Sequence, residues 1–259
     1  MMVCRRFLCL PPLRMAQRGF SLLEVSVVLV IAGLMSWAAF SGYETVSAQQ
    51  EIERSRAEAQ QLQSVVRAFA LRHGRLPCPD TAGNGYESLT AERCTAGTQV
   101  GWFPYTSAGL AIPTERLRAR YSVFRGADAD VAKDADLAVS LERSGDTAGS
   151  DTFEDVTDLI VALNNASRLT FSASRTHLTG DGGVSGDIDC GTNAFMAAAY
   201  WVVVPLQDRD NDGSRLDPPH AMNSVCAASP SAPLRRLSDD VVVAESLIQL
   251  AGWLRSSLP

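Results

Sequence analysis

One stretch constrains this chain more than any other. From Phe20 to Phe40 the sequence reads FSLLEVSVVLVIAGLMSWAAF, and its only charged residue is Glu24. As a helix rising 1.5 Å per residue, the run covers ~30 Å, the hydrocarbon thickness of a bilayer. A carboxylate at membrane depth costs about 3 kcal/mol on insertion scales, so Glu24 needs a partner or a purpose. Arg5, Arg6, Arg14 and Arg18 precede the run with no acid among residues 1–19, which puts that end in the cytoplasm. A secretory signal has a shorter apolar core with a small-residue cleavage site after it. Here the candidate cleavage point, Gly19–Phe20, comes before the run, and the run is retained.

R-G-F-S-L-L-E followed by this span resembles the N-terminus of type IV pilins and pseudopilins. The resemblance implies cleavage after Gly19 by a prepilin peptidase and methylation of the new amine on Phe20. It makes Glu24 the acid at the fifth mature position, with Ser21 where threonine is commoner. Residues 1–19 are then a leader, and Met15-Ala-Gln-Arg-Gly is itself a compact basic leader, so translation from Met15 is an alternative start that leaves the cleavage point unchanged. The implied partners are the peptidase, other pilin or pseudopilin subunits and an inner-membrane assembly platform. In a filament, the amine of one subunit pairs with the Glu24 carboxylate of its neighbour. Each charge is costly alone in hydrocarbon, so the pair sets register more than it adds strength.

Residues 20–41 form the transmembrane and assembly helix, and 42–74 read as its amphipathic continuation. No proline or glycine falls between Glu44 and His73. Val46, Ile52, Ala59, Leu62, Val66 and Phe69 recur at helical spacing, without the sustained heptads of a coiled coil. Gly74 supplies a stop, backed by Pro77 and Pro79, and Gly42 is a candidate kink.

Residues 75–259 are long enough for one substantial head with its own core. RLPCPD, VGWFPYTSAGL and RYSVF resemble, more loosely, a subset of large pilin-like proteins, which supports a single continuous head. Strands are expected at Tyr121–Phe124, Leu137–Leu141, Tyr200–Leu206 and Val241–Val243, and a helix at Thr157–Ala166. A second helix is expected at Ala244–Leu254, with Leu247, Ile248, Ala251 and Leu254 on one face. Residues 143–152 and 227–236 read as surface loops. The fold class is α+β: a long N-terminal helix packed on a periplasmic head with an antiparallel sheet.

Cys78, Cys94, Cys190 and Cys226 follow the apolar run, an even number that suits disulfides in an oxidising compartment. Four cysteines allow three pairings. The expected one is sequential, Cys78–Cys94 and Cys190–Cys226, because turn-rich loops separate each pair; buried free thiols are the other reading. No CxxC and no histidine at zinc-finger spacing accompanies them.

Asp208, Asp210 and Asp212 followed by Gly213 reproduce the first half of a calcium loop, with alternating carboxylates closed by glycine. Pro219 stands where an EF-hand has its bidentate glutamate, and Asp217 is a candidate to complete the shell. Some pseudopilins hold structural calcium, so the resemblance admits one here; a solvated acidic turn is the other reading.

No GxSxG, HExxH or P-loop is present. His73 suits a helix C-terminus, while His177 and His220 lie in loop-like sequence. Arg116, Arg118, Arg120 and Arg125 form either a solvated strand face or a contact for an acidic partner. Without the four leader arginines the 23 Lys and Arg become 19, against 29 Asp and Glu. That acidic body argues against bulk nucleic-acid binding. The chain therefore reads as a non-enzymatic minor pilin or pseudopilin of the bacterial inner membrane. Its N-terminus is cytoplasmic, its head periplasmic, and its destination a type IV pilus or a type II secretion pseudopilus. The rival is a periplasmic enzyme or ligand-binding module on a pilin-type anchor.

Overall fold

The structure, a computed structural model, describes residues 21–126, 134–145, 154–180, 188–191, 194–209, 211–221, 223–233, 235 and 237–258. Helix α1 runs Leu22–His73. The chain divides into two compact units after Gln49.

In the first unit, Leu22–Phe40 is a 19-residue helical span of mean hydropathy 2.1, with every residue exposed. Leu22, Leu29, Val30, Met35, Trp37 and Phe40 each present most of their side chain outward. An apolar surface continuous around a helix demands a bilayer or other helices.

The second unit takes in the rest of α1 together with the head. Ala59, Leu62, Val66, Phe69 and Ala70 are buried, so the stripe legible in the sequence is a packing face from Ala59 onward. Gly74 ends the helix at φ +59°, its N–H bonded to Ala70 O at 3.0 Å. A Cβ there would lie 2.6 Å from the carbonyl oxygen of Asp155, so only glycine fits this turn.

The remaining elements are β1 (Leu89–Thr90), β2 (Arg93–Cys94), β3 (Val100–Trp102), β4 (Arg120–Val123), α2 (Val156–Arg168), β5 (His177–Thr179), β6 (Ala194–Val204), β7 (Cys226–Ala228), β8 (Val241–Ser246) and α3 (Leu247–Ser257). β1 and β2 form a small hairpin. The main sheet has six strands in the order β3-β4-β6-β5-β7, with β8 also paired to β6. Its pairs are antiparallel except β5 with β7, which is parallel. The sheet is therefore mixed rather than purely antiparallel.

β6 is the axis of the head and is buried on both faces. Tyr200, Val202 and Val204 pack with α1, α2 and α3, among them Leu62, Val66, Leu159, Leu163, Leu250 and Leu254. Trp201 and Val203 point the other way, into a second core with Leu178, Leu216, Ala227 and Val242. The period of two along one strand thus feeds two cores.

Five sequence expectations shift. Leu137–Leu141 is not a strand: Asp134 Oδ1 accepts the N–H of Asp136, and Asp136 Oδ1 accepts that of Ala138, at 2.8 and 3.0 Å. These Asx turns take the donors a ladder would need. β6 begins six residues earlier than expected, and it ends before Pro205, which has no N–H to give. Residues 244–246 close β8 rather than open a helix, because Ser246 caps α3 with Gln249 in a reciprocal box. The buried face of α3 is Leu247, Leu250 and Leu254, while Ile248 is exposed. Ala227 and Ala228, read as loop, belong to β7.

Candidate functional site

Gly19 and Phe20 lie outside the described residues. Just beyond them, Ser21 Oγ accepts the backbone N–H of Glu24 at 3.2 Å, and Glu24 Oε2 accepts that of Ser21 at 3.0 Å. This is a capping box, and it satisfies two of the donors that the start of α1 leaves open. Serine ranks with the best capping residues, so its presence where threonine is commoner costs nothing locally. The box gives the lone carboxylate a hydrogen bond but no positive charge.

In the head, Cys78 is bonded to Cys94 and Cys190 to Cys226, the sequential pairing. The first bridge frames a loop organised around Asp80. Its Oδ1 accepts the N–H groups of Ala82 and Gly83 at 2.9 and 2.8 Å, and its Oδ2 accepts that of Gly85 at 2.6 Å. Arg75 grips Glu87 with two bonds, at 2.6 and 3.0 Å. Asp80 and the Arg75–Glu87 pair together turn the proline- and glycine-rich segment into a fixed surface.

The arginine cluster is committed internally. Arg116 donates to Gly213 O, Arg118 to Gly83 O, and Arg120 to Asn223 Oδ1 while lying over the Trp102 ring. Arg125 bonds Asp136 Oδ2 and the carbonyls of Thr95 and Thr98. These contacts tie neighbouring loops around β4, a structural use of the four side chains.

The acidic residues sort differently from their order in sequence. Asp208 Oδ2 accepts the N–H of Gly213 and Asp212 Oδ1 that of Ser214, each closing the local turn. Asp210 lies outside the described residues. Asp217 is buried at the base of that turn, where it meets Asp239 and Asp240, and one carboxylate oxygen from each lies within 4.8 Å of the others. Burial, reinforced by Asp240 and Asp239, pushes the Asp217 carboxyl up to about 6 against the pull of two backbone N–H donors, Arg209 and Asp239. Burial also raises Asp240, against its bond to His220.

His220 and Asp240 have the geometry of the orienting half of a hydrolytic triad, with Nδ1 2.9 Å from Oδ2. The other ring nitrogen, Nε2, accepts the N–H of Ala228 at 3.3 Å, so it faces backbone rather than a serine. A cavity of about 350 Å³ lies nearby, lined by Ile52, Arg56, Ser229, Arg235, Asp240 and Val242. His73 stacks on Phe69 at the end of α1, and burial with Arg75 and Arg72 lowers its pKa.

Asp239, Asp240, Arg67 and Glu245 carry structural roles that the sequence reading did not single out. The available signal was the pair of acids abutting the VVV of β8, and an acid inside that strand.

Residues 14–40 match the prokaryotic N-terminal methylation motif, which makes the chain type IV pilin-like at its N-terminus. No solved structure matches the chain.

Proposed function

We propose that this chain is a structural, non-enzymatic filament subunit, a minor pilin or pseudopilin assembled into a type IV pilus or a type II secretion pseudopilus. The observation that carries the reading is the methylation motif at residues 14–40 leading directly into an apolar helix exposed on every side. Such a motif goes with processing by prepilin peptidase and assembly with other pilins. On this reading the peptidase cuts between Gly19 and Phe20, and the chain waits as a single-pass inner-membrane protein with its N-terminus in the cytoplasm.

The head then stands in the periplasm, where its two disulfides are chemically at home. Glu24, already hydrogen-bonded within its own chain, takes its positive partner from the methylated amine of an adjacent subunit. The size of the head favours a minor subunit, since bulk packing around a thin shaft suits small heads. Mass spectrometry of the mature N-terminus tests the reading: a chain beginning at methylated Phe20 is expected, and any other start overturns it.

A further inference from the structure

Val241, Val242 and Val243 of β8 all line the cavity of about 350 Å³. Val241 and Val243 pack with the core that α1 shares, and Val242 with the core on the other side of the sheet. Residues from both faces of a strand border one cavity only where that cavity runs along the strand's edge. β8 pairs with β6 along one edge. At the other, no described residue hydrogen-bonds the backbone of residues 241–244. We propose that this open edge is a docking groove for an extended, acid-flanked segment of a partner protein, which joins the sheet as a further strand beside β8.

The edge carries none of the devices that keep a strand single. Val241-Val242-Val243-Ala244 holds no proline and no charge, and Glu245 is turned inward onto Arg67 and Tyr200. An apolar edge of this kind pairs with whatever strand reaches it, so folded proteins charge, break or cover such edges. Here the edge is neither charged nor broken, and a cavity is kept open beside it.

The walls decide what can reach it. Ile52, Arg56 and Gln60 of α1 line the cavity, and so do Pro230, Ala232 and Pro233 of the loop after β7. Val241 and Val242 keep only 9 and 8% of their surface exposed, so β8 is recessed between these walls. In a second copy β8 is recessed equally, and two recessed edges cannot meet. The occupant is therefore slender, a tail or a loop. Its backbone bonds the open edge, and its alternate side chains lie against the walls.

Charge complementarity supplies the rest. Arg56 and Arg235 are the cations that line the cavity, and Asp240 is its one acid. Asp240 Oδ2 is already bonded to His220 Nδ1 and to the N–H of Asp217, at 2.9 and 3.0 Å. Arg56 is held by an exposed pair with Glu53 at 2.9 Å, a contact of low worth that a better-placed acid displaces. The Arg235 guanidinium meets no acid among the described residues. The groove thus favours carboxylates at the ends of an otherwise apolar, extended segment. It belongs to the head alone, so the inference does not depend on the filament reading.

The test uses the full chain in detergent micelles and a labelled hexapeptide, Asp-Val-Thr-Val-Thr-Asp, amidated at its C-terminus. Anisotropy reads binding, and hydrogen exchange reads the outward amides of β8. Saturable binding is expected, with outward amides that exchange freely in the chain alone and slow about tenfold in the complex. N-methylation of alternate peptide nitrogens keeps the side chains but removes the ladder, and is expected to weaken binding about tenfold. Arg235→Glu, and lysine in place of both peptide acids, are each expected to weaken binding about fivefold at low salt, and in combination to restore it. Absence of saturable binding overturns the proposal. So does equal binding of the N-methylated peptide, which makes the cavity a side-chain pocket. Outward amides already slow in the monomeric chain overturn it by showing the edge covered from within. Protection that appears only on dimerisation overturns it by assigning the edge to a second copy.

Discussion

Arg67 on the long helix meets Glu245 on the last strand of the sheet across 178 residues of sequence, its Nε 2.9 Å from Oε1. The other oxygen accepts the hydroxyl of Tyr200, its cross-strand partner, at 2.7 Å. Arg67 also lies over the Trp253 ring, so one guanidinium ties α1 to β8 and α3. Burial and the Glu245 carboxylate push the Tyr200 phenol far above its ordinary value, which keeps it a donor. Glu245→Ala is expected to cost about 3 kcal/mol by stranding both partners. Glu245→Gln, which keeps an acceptor, is expected to cost about 1 kcal/mol. Urea unfolding of the full chain in micelles measures both, and equal losses would show that the charge, not the retained acceptor, carries the contact.

Glu24→Ala is expected to leave membrane insertion intact and reduce incorporation into filaments at least about tenfold, the consequence of leaving a buried amine unpaired. Quantitative immunoblots of sheared filaments against membrane fractions measure it. Incorporation at the wild-type level would show that the carboxylate does not set register.

The two disulfides close loops of different length, with sequence separations of 16 and 36. Chain entropy assigns about 3 kcal/mol to the shorter and about 4 kcal/mol to the longer. Removing Cys190–Cys226 by paired serine substitution is therefore expected to lower the urea midpoint more than removing Cys78–Cys94. The opposite order would place the stabilisation in native packing around the first bridge.

Asp158 gives the head an acid-side limit. Burial alone would raise its pKa, but the backbone N–H groups of Asp155, Arg143 and Ser144 outweigh it and hold the carboxyl below its ordinary value of 3.8. A folded-state pKa depressed in this way contributes stability that is present above pH 3.8 and lost as pH falls through the lowered value. Asp158→Asn is expected to flatten the fall in Tm between pH 4 and roughly pH 2. An unchanged slope would show that other groups carry that loss.

The N-terminal segment was legible because its signals are local: a glycine, an aromatic, an acid at fixed offset and an apolar span. The stripe from Ala59 to Phe69 was legible for the same reason, since helical period is written in the sequence itself. β6 was only half visible. The three alanines in its first half, Ala197–Ala199, have little intrinsic strand preference, and pairing with β5 sets the conformation of its start. Leu137–Leu141 misled because its apolar pattern is real, while Asp134 and Asp136 divert the backbone. Of the acids, Asp217 was visible, but Asp239 and Asp240 meet it only once β8 is in place. A sequence read residue by residue shows spacing, not which loops converge.

The bond between Arg67 and Glu245 also imposes an order in time. A ribosome delivers Arg67 early and Glu245 only 178 residues later, near the end of the chain. The helix therefore stays unlatched while the rest of the head emerges, and the last strand is what fastens it. A chain cut short before β8 keeps the packing of Leu62 and Val66 against the head but lacks the carboxylate that Arg67 meets.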